Sequence, residues 1–277
     1  MKAALGRDTM IRPDGEASMS FEDLLVSRSA AVYADFLEPY LTAGDVVLDV
    51  GCGSGSITVG LAAKVDRVIG VDLDDAEFVD ARTHARRSGI DNVEFREGSV
   101  YALDFPDRRF DACLAHSMLE TLDRPVDAMR EVHRVLRAGG VVGVASVEYG
   151  GLILGGPDEP VLRRFYDLRT RLWQDEGVAD PYRGRTLRGV LTSAGFERVV
   201  ATTTSICYGT DAAVRAFGLD RAEDCRDVWY AEGAERFGIG TTEDLRVMEQ
   251  AWLAWSEAPD AYAAFSWCRA LGFKPAR

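Results

Sequence analysis

Three glycines at alternate positions follow a short apolar run that carries one carboxylate. They are Gly51, Gly53 and Gly55 in the stretch VLDVGCGSGS, residues 47–56, and the carboxylate belongs to Asp49. A turn without Cβ atoms lets backbone N–H groups approach a ligand closely, and the positive end of the helix that follows would face that ligand. The stretch therefore predicts a ligand-binding loop between a strand and a helix.

The spacing of these glycines differs from that of the dinucleotide fingerprint GxGxxG. The fingerprint has its third glycine at the position that Ser56 occupies in this chain. Asp49 adds negative charge beside the loop, which disfavours a phosphate-bearing ligand and favours a cationic one. Asp72 ends the next apolar run, where a carboxylate can accept hydrogen bonds from both hydroxyls of a ribose. These groups describe a cationic nucleoside without phosphates, and S-adenosylmethionine meets that description.

Short β-branched runs alternate with helical stretches from residue 45 onward, a pattern typical of strand and helix units on a parallel sheet. Because the runs are apolar on both faces, helices are expected to cover both sides of the sheet. The predicted strands cover 46–50, 67–73, 92–98, 110–117 and 141–148, with helices at 56–64, 75–88 and 125–137.

The pattern changes after residue 150, where a Gly/Pro-rich connection leads into further predicted elements. These are helices over Val161–Trp173 and 187–196, a β-branched strand over 197–209, and a helical, aromatic-rich region over 211–258. Residues 261–273 are predicted as a last strand, with a helix end as the alternative. Before the sheet, residues 21–41 predict one or two amphipathic helices.

Five stretches occur in the order and at the spacing of a known family. They are VLDVGCGSG (47–55), VIGVDLD (68–74), REGSVYALDFPDRRFD (96–111), HSMLETL (116–122) and REVHRVLRAGG (130–140). The chain resembles the Rossmann-like S-adenosylmethionine-dependent methyltransferases, and within them the small-molecule type that includes the ubiquinone and menaquinone C-methyltransferases. The resemblance implies an α/β fold: a Rossmann-like, doubly wound, mostly parallel seven-stranded sheet with helical lid insertions.

The resemblance also implies which residues bind the methionine end of the cofactor S-adenosylmethionine. Backbone groups of Gly51, Cys52, Gly53 and Gly55 would line the methionine tail. Asp49 would support the ammonium group of that tail, directly or through water.

A second group of residues would bind the nucleoside and the reacting end. Asp72 would bind the ribose diol, Leu73 would cover one adenine face, and the backbone of Val100 would address the ring edge. Ser99 stands where the family often has an aspartate that accepts from the adenine amino group, and His116 would lie near the methyl group. The alternatives are a helix N-cap for Asp72, a turn hydroxyl for Ser99 and a structural histidine for His116.

Methyl transfer from a sulfonium is an in-line displacement, so an enzyme mainly aligns the acceptor and excludes water. A hydroxyl or carbon acceptor also needs a base, whereas an amine needs no strong one. His116 and Tyr149 are the candidate bases, because both follow predicted strand ends, where open α/β sheets build their sites.

The three parts of the chain are predicted to differ in role. Residues 1–44 would form an N-terminal helical lid and 45–150 the S-adenosylmethionine-binding core. Residues 151–277 would complete the sheet and carry a helical acceptor-binding cap at about 211–258. The aromatic residues of this last part are interpreted as core or lid packing, and some of them could line an acceptor pocket: Phe165, Tyr166, Trp173, Trp229, Tyr230, Trp252 and Trp255.

Composition excludes several partners. With 45 acidic against 32 basic residues, the net charge of -13 would repel nucleic acid and anionic membranes. Five scattered cysteines without a CxxC pair indicate neither a disulfide framework nor a metal site. The first residues lack a signal-peptide apolar core, and we expect a cytoplasmic protein with a small-molecule partner, for which a homodimer is a possible assembly.

Three other functions compete with methyl transfer. The first is cyclisation or sensing by a protein that binds S-adenosylmethionine without transferring its methyl group. The second is a nucleotide-dependent oxidoreductase, which the missing third glycine of the fingerprint disfavours. The third is nucleic-acid methylation, which predicts a basic face and an Asn/Asp-Pro-Pro-aromatic stretch where this chain has AHSMLET.

Overall fold

The computed structural model describes residues 29–276. Within this range the sheet has seven strands in the order β3-β2-β1-β4-β5-β7-β6. They are β1 (Val46–Val50), β2 (Arg67–Asp72), β3 (Val93–Glu97), β4 (Phe110–His116), β5 (Leu136–Gly155), β6 (Glu197–Tyr208) and β7 (Tyr262–Phe273). The predicted α/β fold with a seven-stranded sheet is confirmed, and residues 261–273 do form the last strand.

Helices connect and flank these strands. The α-helices are α1 (Ala30–Tyr33), α2 (Ser56–Ala62), α3 (Phe78–Arg87), α4 (Pro125–Val135), α5 (Glu159–Asp175), α6 (Leu187–Ser193), α7 (Asp211–Asp224), α8 (Val228–Phe237) and α9 (Thr242–Trp255). Short 3-10 turns lie at Glu38–Tyr40, Asp75–Glu77, Leu119–Thr121 and Arg183–Thr186. None of the helices formed by residues 29–276 is both long and apolar enough to cross a bilayer.

Local sequence signals explain where several helices begin. Pro125 occupies the first turn of α4. Backbone N–H groups there have no partner within the helix, so the N–H that proline lacks costs no hydrogen bond. The side chain of Asp227 accepts from the N–H of Trp229 at the start of α8, and Thr241 and Asp244 form a reciprocal capping box on α9.

The register of the central strands brings their carboxyl ends to one edge of the sheet. β1 pairs in parallel with both β2 and β4, so that Asp49 lies opposite Gly70 on one side and Leu114 on the other. β4 pairs in parallel with β5, and His116 lies opposite Ala145. The loops that follow β1, β2 and β4 therefore leave the sheet at the same edge, where open α/β sheets bind ligands.

β7 reverses the direction of the sheet. Gly139 and Gly140, near the start of β5, exchange backbone hydrogen bonds with Lys274, which follows β7. A Cβ on Gly155, at the end of β5, would lie 3.9 Å from the Cβ of Tyr262 at the start of β7. β7 thus runs antiparallel to β5, which makes the sheet mixed rather than wholly parallel.

β5 is longer than the sequence predicted. The run was expected to end at residue 148, but the strand continues to Gly155, so Tyr149 lies inside it. The prediction that Tyr149 follows a strand end is therefore wrong. The sequence predicts a Gly/Pro-rich connection after residue 150, yet Gly151 sits so close to Ser266 that a Cβ would meet the Ser266 Oγ at 2.1 Å. Gly151 therefore lies within a strand and allows Ser266 to approach the backbone closely, and it does not form a turn.

The described chain divides into two compact units. The sheet unit comprises residues 29–147, Arg183–Thr204 and 267–276, and the helical unit comprises Glu148–Tyr182 and Ser205–Ser266. β5, β6 and β7 contribute residues to both. The predicted N-terminal lid lies outside the described residues as far as residue 28, and its remainder contains α1 and the turn at Glu38–Tyr40.

The hydrophobic core of the sheet unit forms between the central strands and helices α4 and α6. Leu48, Phe110 and Val142 from the strands and Val132 from α4 are fully buried in it. Each such side chain stabilises the fold by roughly 1.5 to 3 kcal/mol relative to exposure. This packing holds β1 and β4, whose ends carry the candidate site, in a fixed register.

Candidate active site

The glycine loop joins β1 to α2 in a tight turn. The N–H groups of Gly51 and Cys52 both donate to the carbonyl of Val71, at 2.8 and 3.2 Å, and Gly55 donates to the carbonyl of Cys52 at 2.9 Å. Gly51, Gly53 and Gly55 have φ angles of +73°, +49° and +72°. These left-handed conformations are costly for residues with a Cβ, which explains why the turn uses glycine.

The three glycines face different surroundings. A Cβ on Gly51 would meet the Met118 side chain at 2.5 Å, and one on Gly55 would meet the Phe95 ring at 2.7 Å. A Cβ on Gly53 would find nothing within 4 Å. Packing thus requires glycine at the first and third positions, whereas Gly53 borders open space that a ligand can occupy.

Asp72 lies against this loop. Its Oδ2 accepts a hydrogen bond from the Gly53 N–H at 2.8 Å, and its Oδ1 accepts from the Asp74 N–H at 3.3 Å. Asp74, not Asp72, caps the turn that follows, because its side chain accepts from the Ala76 N–H. The next residue along from Asp72, Leu73, is 71% exposed.

Asp49 lies buried beneath the loop. Its Oδ2 accepts a hydrogen bond of 2.7 Å from the Thr58 hydroxyl on α2. Burial raises the pKa of Asp49 to about 7, the Thr58 hydrogen bond opposes this shift, and the nearby charge of Asp72 adds to it. A cation bound at the loop would favour the ionised form of this carboxyl group.

Ser99 and Val100 follow β3 at the same edge of the sheet. The Ser99 Oγ accepts from the Tyr101 N–H at 3.3 Å, so the hydroxyl has the role of a turn residue. Val100 is partly buried and packs against the core of the sheet unit. The adenine contacts predicted for both residues stay predictions.

His116 ends β4 inside an aromatic cluster of the sheet unit. It is 6% exposed, and its ring stacks on Trp267 with centroids 4.9 Å apart and an angle of 18°. Tyr33 meets the imidazole edge-on at 5.1 Å. Ser117, the next residue, has a φ of +53°, a strained conformation that turns the chain sharply after the strand.

Tyr149 lies inside β5. Tyr149 belongs to the helical unit, whereas the other predicted site residues belong to the sheet unit. Its ring packs against Tyr166, Trp173 and Phe265, at centroid distances between 5.4 and 5.9 Å.

Sequence reasoning missed a buried acid beside the site. Glu120, in the turn after β4, is buried, and its Oε2 accepts a hydrogen bond of 2.7 Å from the Ser146 hydroxyl on β5. A carboxylate within HSMLETL, directly behind a predicted strand, was the signal that could have drawn attention to it. Met118, which fills the space beneath Gly51, was also missed.

A separate cavity of about 350 Å³ lies between α3 and β3. Arg82, Arg86, Ile90 and Phe95 contribute to its lining. It contains none of the predicted site residues, so the candidate site is defined by the loop, Asp49 and Asp72 instead.

Residues 48–144 match the protein family described as a methyltransferase domain. The match places a methyltransferase domain within this part of the chain. It is 28% identical to the probable methyltransferase ltbC of Aspergillus luteorubrus, across 90% of this chain and 92% of that protein. It is 35% identical over 107 residues to the ubiquinone biosynthesis O-methyltransferase of Pseudomonas entomophila, which covers 38% of this chain and 45% of that enzyme.

Among solved structures, the fold of this chain is similar to that of the YcgJ protein from Bacillus subtilis. The TM-score is 0.58 at 19% sequence identity, over 88% of this chain and 97% of that one. The chain spans only about half the length of several curated methyltransferases that it matches, with 44%, 50% and 45% of their residues covered.

Proposed function

We propose that the protein transfers the methyl group of S-adenosylmethionine to a small-molecule acceptor. The observation that carries this proposal is the space beside Gly53, where a Cβ would meet nothing within 4 Å although both neighbouring glycines are packed tightly. Asp72 accepts a hydrogen bond from the Gly53 N–H, and the buried Asp49 lies close enough to Asp72 to feel its charge. Two carboxylates near the loop suit a ligand that is cationic and carries no phosphate.

The proposed cofactor contacts follow from this arrangement. Gly51, Cys52, Gly53 and Gly55 would line the methionine tail, with Asp49 beneath it balancing the ammonium charge. A bound S-adenosylmethionine supplies an electrophilic methyl group already activated by a sulfonium. The protein has to orient the acceptor and exclude water.

The nucleoside would be held at the ends of β2 and β3. Asp72 would accept from the ribose hydroxyls, Leu73 would cover an adenine face, and Ser99 and Val100 would address the ring edge. The 71% exposure of Leu73 supports this role, because it leaves an apolar side chain open to contact with a ring.

His116 is the proposed proton acceptor when the acceptor atom is oxygen or carbon. It ends β4, and its ring is held between Trp267 and Tyr33, which restricts its orientation. Tyr149, which lies inside β5, is the second candidate. A nitrogen acceptor would need neither.

A quinone-like or secondary metabolite is the proposed kind of acceptor. The similarity to a ubiquinone biosynthesis O-methyltransferase supports this choice, although it covers only the core. The helical region at 211–258 is proposed to bind that acceptor.

Calorimetry with S-adenosylmethionine and S-adenosylhomocysteine tests the cofactor part, and mass spectrometry of released S-adenosylhomocysteine tests transfer. Binding of both compounds, followed by acceptor-dependent release, supports the proposal. No heat with either compound contradicts it. Binding and conversion of an acceptor without release of S-adenosylhomocysteine would instead indicate cyclisation.

A further inference from the structure

The cavity of about 350 Å³ between α3 and β3, which we call the α3–β3 cavity, lies at one edge of the sheet. β3 is the end strand of the described sheet and has β2 as its neighbour. The Asn92 carbonyl and the Gly98 N–H bond to residues of β2, so the backbone groups of Val93 and Phe95 point away from β2. The Phe95 carbonyl accepts from the Arg82 Nη2 at 3.4 Å. The cavity thus lies between the outer side of β3 and the side chains of α3.

The floor of the cavity is apolar. It is formed by Ala85 of α3, by Ile90, and by Val93 and Phe95 of β3. The Phe95 ring packs on Phe78 with centroids 5.9 Å apart, and a Cβ on Gly70 would meet it at 3.0 Å. Because the ring has no room to move inward, this wall of the cavity is fixed. Ligand pockets have volumes of about 300 to 1,000 Å³, so this one suits a short chain or a small ring.

Two arginines of α3, Arg82 and Arg86, line the same cavity one helical turn apart. Neither forms an ion pair with any residue between 29 and 276. Their guanidinium groups donate instead to the Phe95 carbonyl and to the Thr83 hydroxyl, each at 3.4 Å. Like charges at this spacing on a helix repel each other. An anion between the two guanidinium groups would remove that repulsion and accept from their remaining N–H groups.

The acidic residues of the lining do not neutralise these two arginines. The Glu94 carboxylate lies 2.7 Å from the Arg67 Nη2 and 2.5 Å from the Arg96 Nε, so its charge is already compensated. Asp91 is exposed and forms no ion pair with either arginine of the cavity. The described chain, although acidic overall, therefore leaves two positive charges without a counter-ion above an apolar floor.

We propose that the α3–β3 cavity binds a small carboxylate whose apolar chain or ring lies on the floor and whose oxygens accept from Arg82 and Arg86. The planar guanidinium group matches a carboxylate with paired N–H donors. A neutral ligand would leave both charges uncompensated, and the nearby Asp91 and Glu94 disfavour a doubly charged phosphate ester. The cavity contains none of the residues proposed to bind S-adenosylmethionine, so this proposal does not rest on the proposed function.

The test uses the full chain with ¹³C-labelled isoleucine methyl groups and four probes. Hexanoate carries both parts of the ligand, hexan-1-ol has the chain without the charge, acetate has the charge without the chain, and hexyl phosphate replaces the carboxylate. We expect hexanoate to shift the Ile90 Cδ1 methyl resonance and to saturate, because Ile90 lines the floor. The other three probes should bind more weakly. Ile90→Val identifies the resonance.

Arg82→Gln and Arg86→Gln should each weaken hexanoate binding roughly tenfold, the effect of losing a charge-assisted hydrogen bond. Arg87→Gln is the matched control, because Arg87 lies on the same helix and is exposed but does not line the cavity. It should leave the affinity for hexanoate unchanged. All three arginines are exposed, so the variants should fold as the wild type does.

Several results would overturn the proposal. These are no Ile90 shift with hexanoate, equal or tighter binding of hexan-1-ol, acetate or hexyl phosphate, or an equal loss of affinity in the Arg87 variant. Hexanoate should still bind when S-adenosylhomocysteine is saturating, and its displacement would assign the cavity to the cofactor site. Hexanoate binding without any heat from S-adenosylhomocysteine removes only the methyltransferase activity, and the reverse removes only the carboxylate site.

Discussion

The backbone N–H of Gly53 donates to Asp72 Oδ2 at 2.8 Å, across 19 residues of chain. This bond ties the middle of the glycine loop to the end of β2. The carboxylate proposed to bind a ribose therefore also holds the loop that is proposed to border the methionine tail. Changes at Asp72 should act on both ends of the cofactor.

Asp72→Ala should weaken S-adenosylhomocysteine binding by about 1.5 to 3 kcal/mol, because hydrogen bonds to a charged acceptor are lost. Asp72→Asn should weaken it less, since the amide oxygen can still accept from Gly53. Calorimetry measures both. Asp74→Asn is the control, because Asp74 caps the neighbouring turn. Equal affinities for wild type and Asp72→Ala would disprove the ribose assignment.

Gly53→Ala and Gly55→Ala should differ in their effects on cofactor affinity and on the stability of the fold. Gly53→Ala places a Cβ in open space, so it should cost only about 1 to 2 kcal/mol of unfolding free energy from its positive φ, yet abolish cofactor binding. Gly55→Ala should lower the melting temperature much more, because its Cβ meets Phe95 at 2.7 Å. Thermal unfolding and calorimetry check the pair. Retained binding in folded Gly53→Ala would place the ligand elsewhere.

Cofactor affinity should depend on pH through Asp49. Burial raises the pKa of Asp49 to about 7, and a bound cation favours the carboxylate. Affinity should therefore rise as the pH increases through about 7. Calorimetry across this range should show proton release on binding below that pH. Asp49→Asn should flatten this profile; an unchanged profile in the variant would assign the dependence to another group.

The same carboxyl group should make the ligand-free protein less stable at higher pH. The folded-state pKa of Asp49, about 7, lies well above that of an exposed aspartate, so the folded state binds a proton that the unfolded state has released between about pH 4 and pH 7. Stability thus falls as the pH rises through this window, by up to about 4 kcal/mol. Asp49→Asn, which keeps an acceptor for Thr58, should melt above wild type near about pH 8 and match it near about pH 4. A constant difference between the two proteins would contradict this account.

His116→Asn should lower the rate of methyl transfer to an oxygen or carbon acceptor by roughly 10²- to 10⁴-fold, the usual contribution of a general base. Binding of S-adenosylhomocysteine should change little. Tyr149→Phe should reduce the rate less, because the Tyr149 ring packs inside the helical unit. Single-turnover rates measure both variants. A larger loss in Tyr149→Phe would reverse the assignment.

The sequence predicted the central strands because β-branched runs and glycine turns are local signals. β1 was predicted at its observed bounds, and the helix at 56–64 differs from α2 by two residues at its end. The sequence alone does not show that Gly53 borders open space while Gly51 and Gly55 are tightly packed. That packing depends on Met118 and Phe95, which approach from distant parts of the chain.

Other features escaped prediction for the same reason. The extension of β5 depends on close approach by Ser266, so Gly150–Gly151 resembled a turn when read locally. Arg169 and Arg221 lie in helices where an arginine ordinarily faces solvent. Both arginines can be buried because Asp224 pairs with them. The helical periodicity of the sequence does not mark Asp224 as such a partner.

The exposed side chain of Leu73 predicts a calorimetric signature of cofactor binding. An apolar side chain that is 71% exposed beside the loop is hydrated in the ligand-free protein, and an adenine ring lying on it would release that water. The binding enthalpy should then become more favourable on warming, a negative heat-capacity change. Leu73→Ser should make that temperature slope shallower.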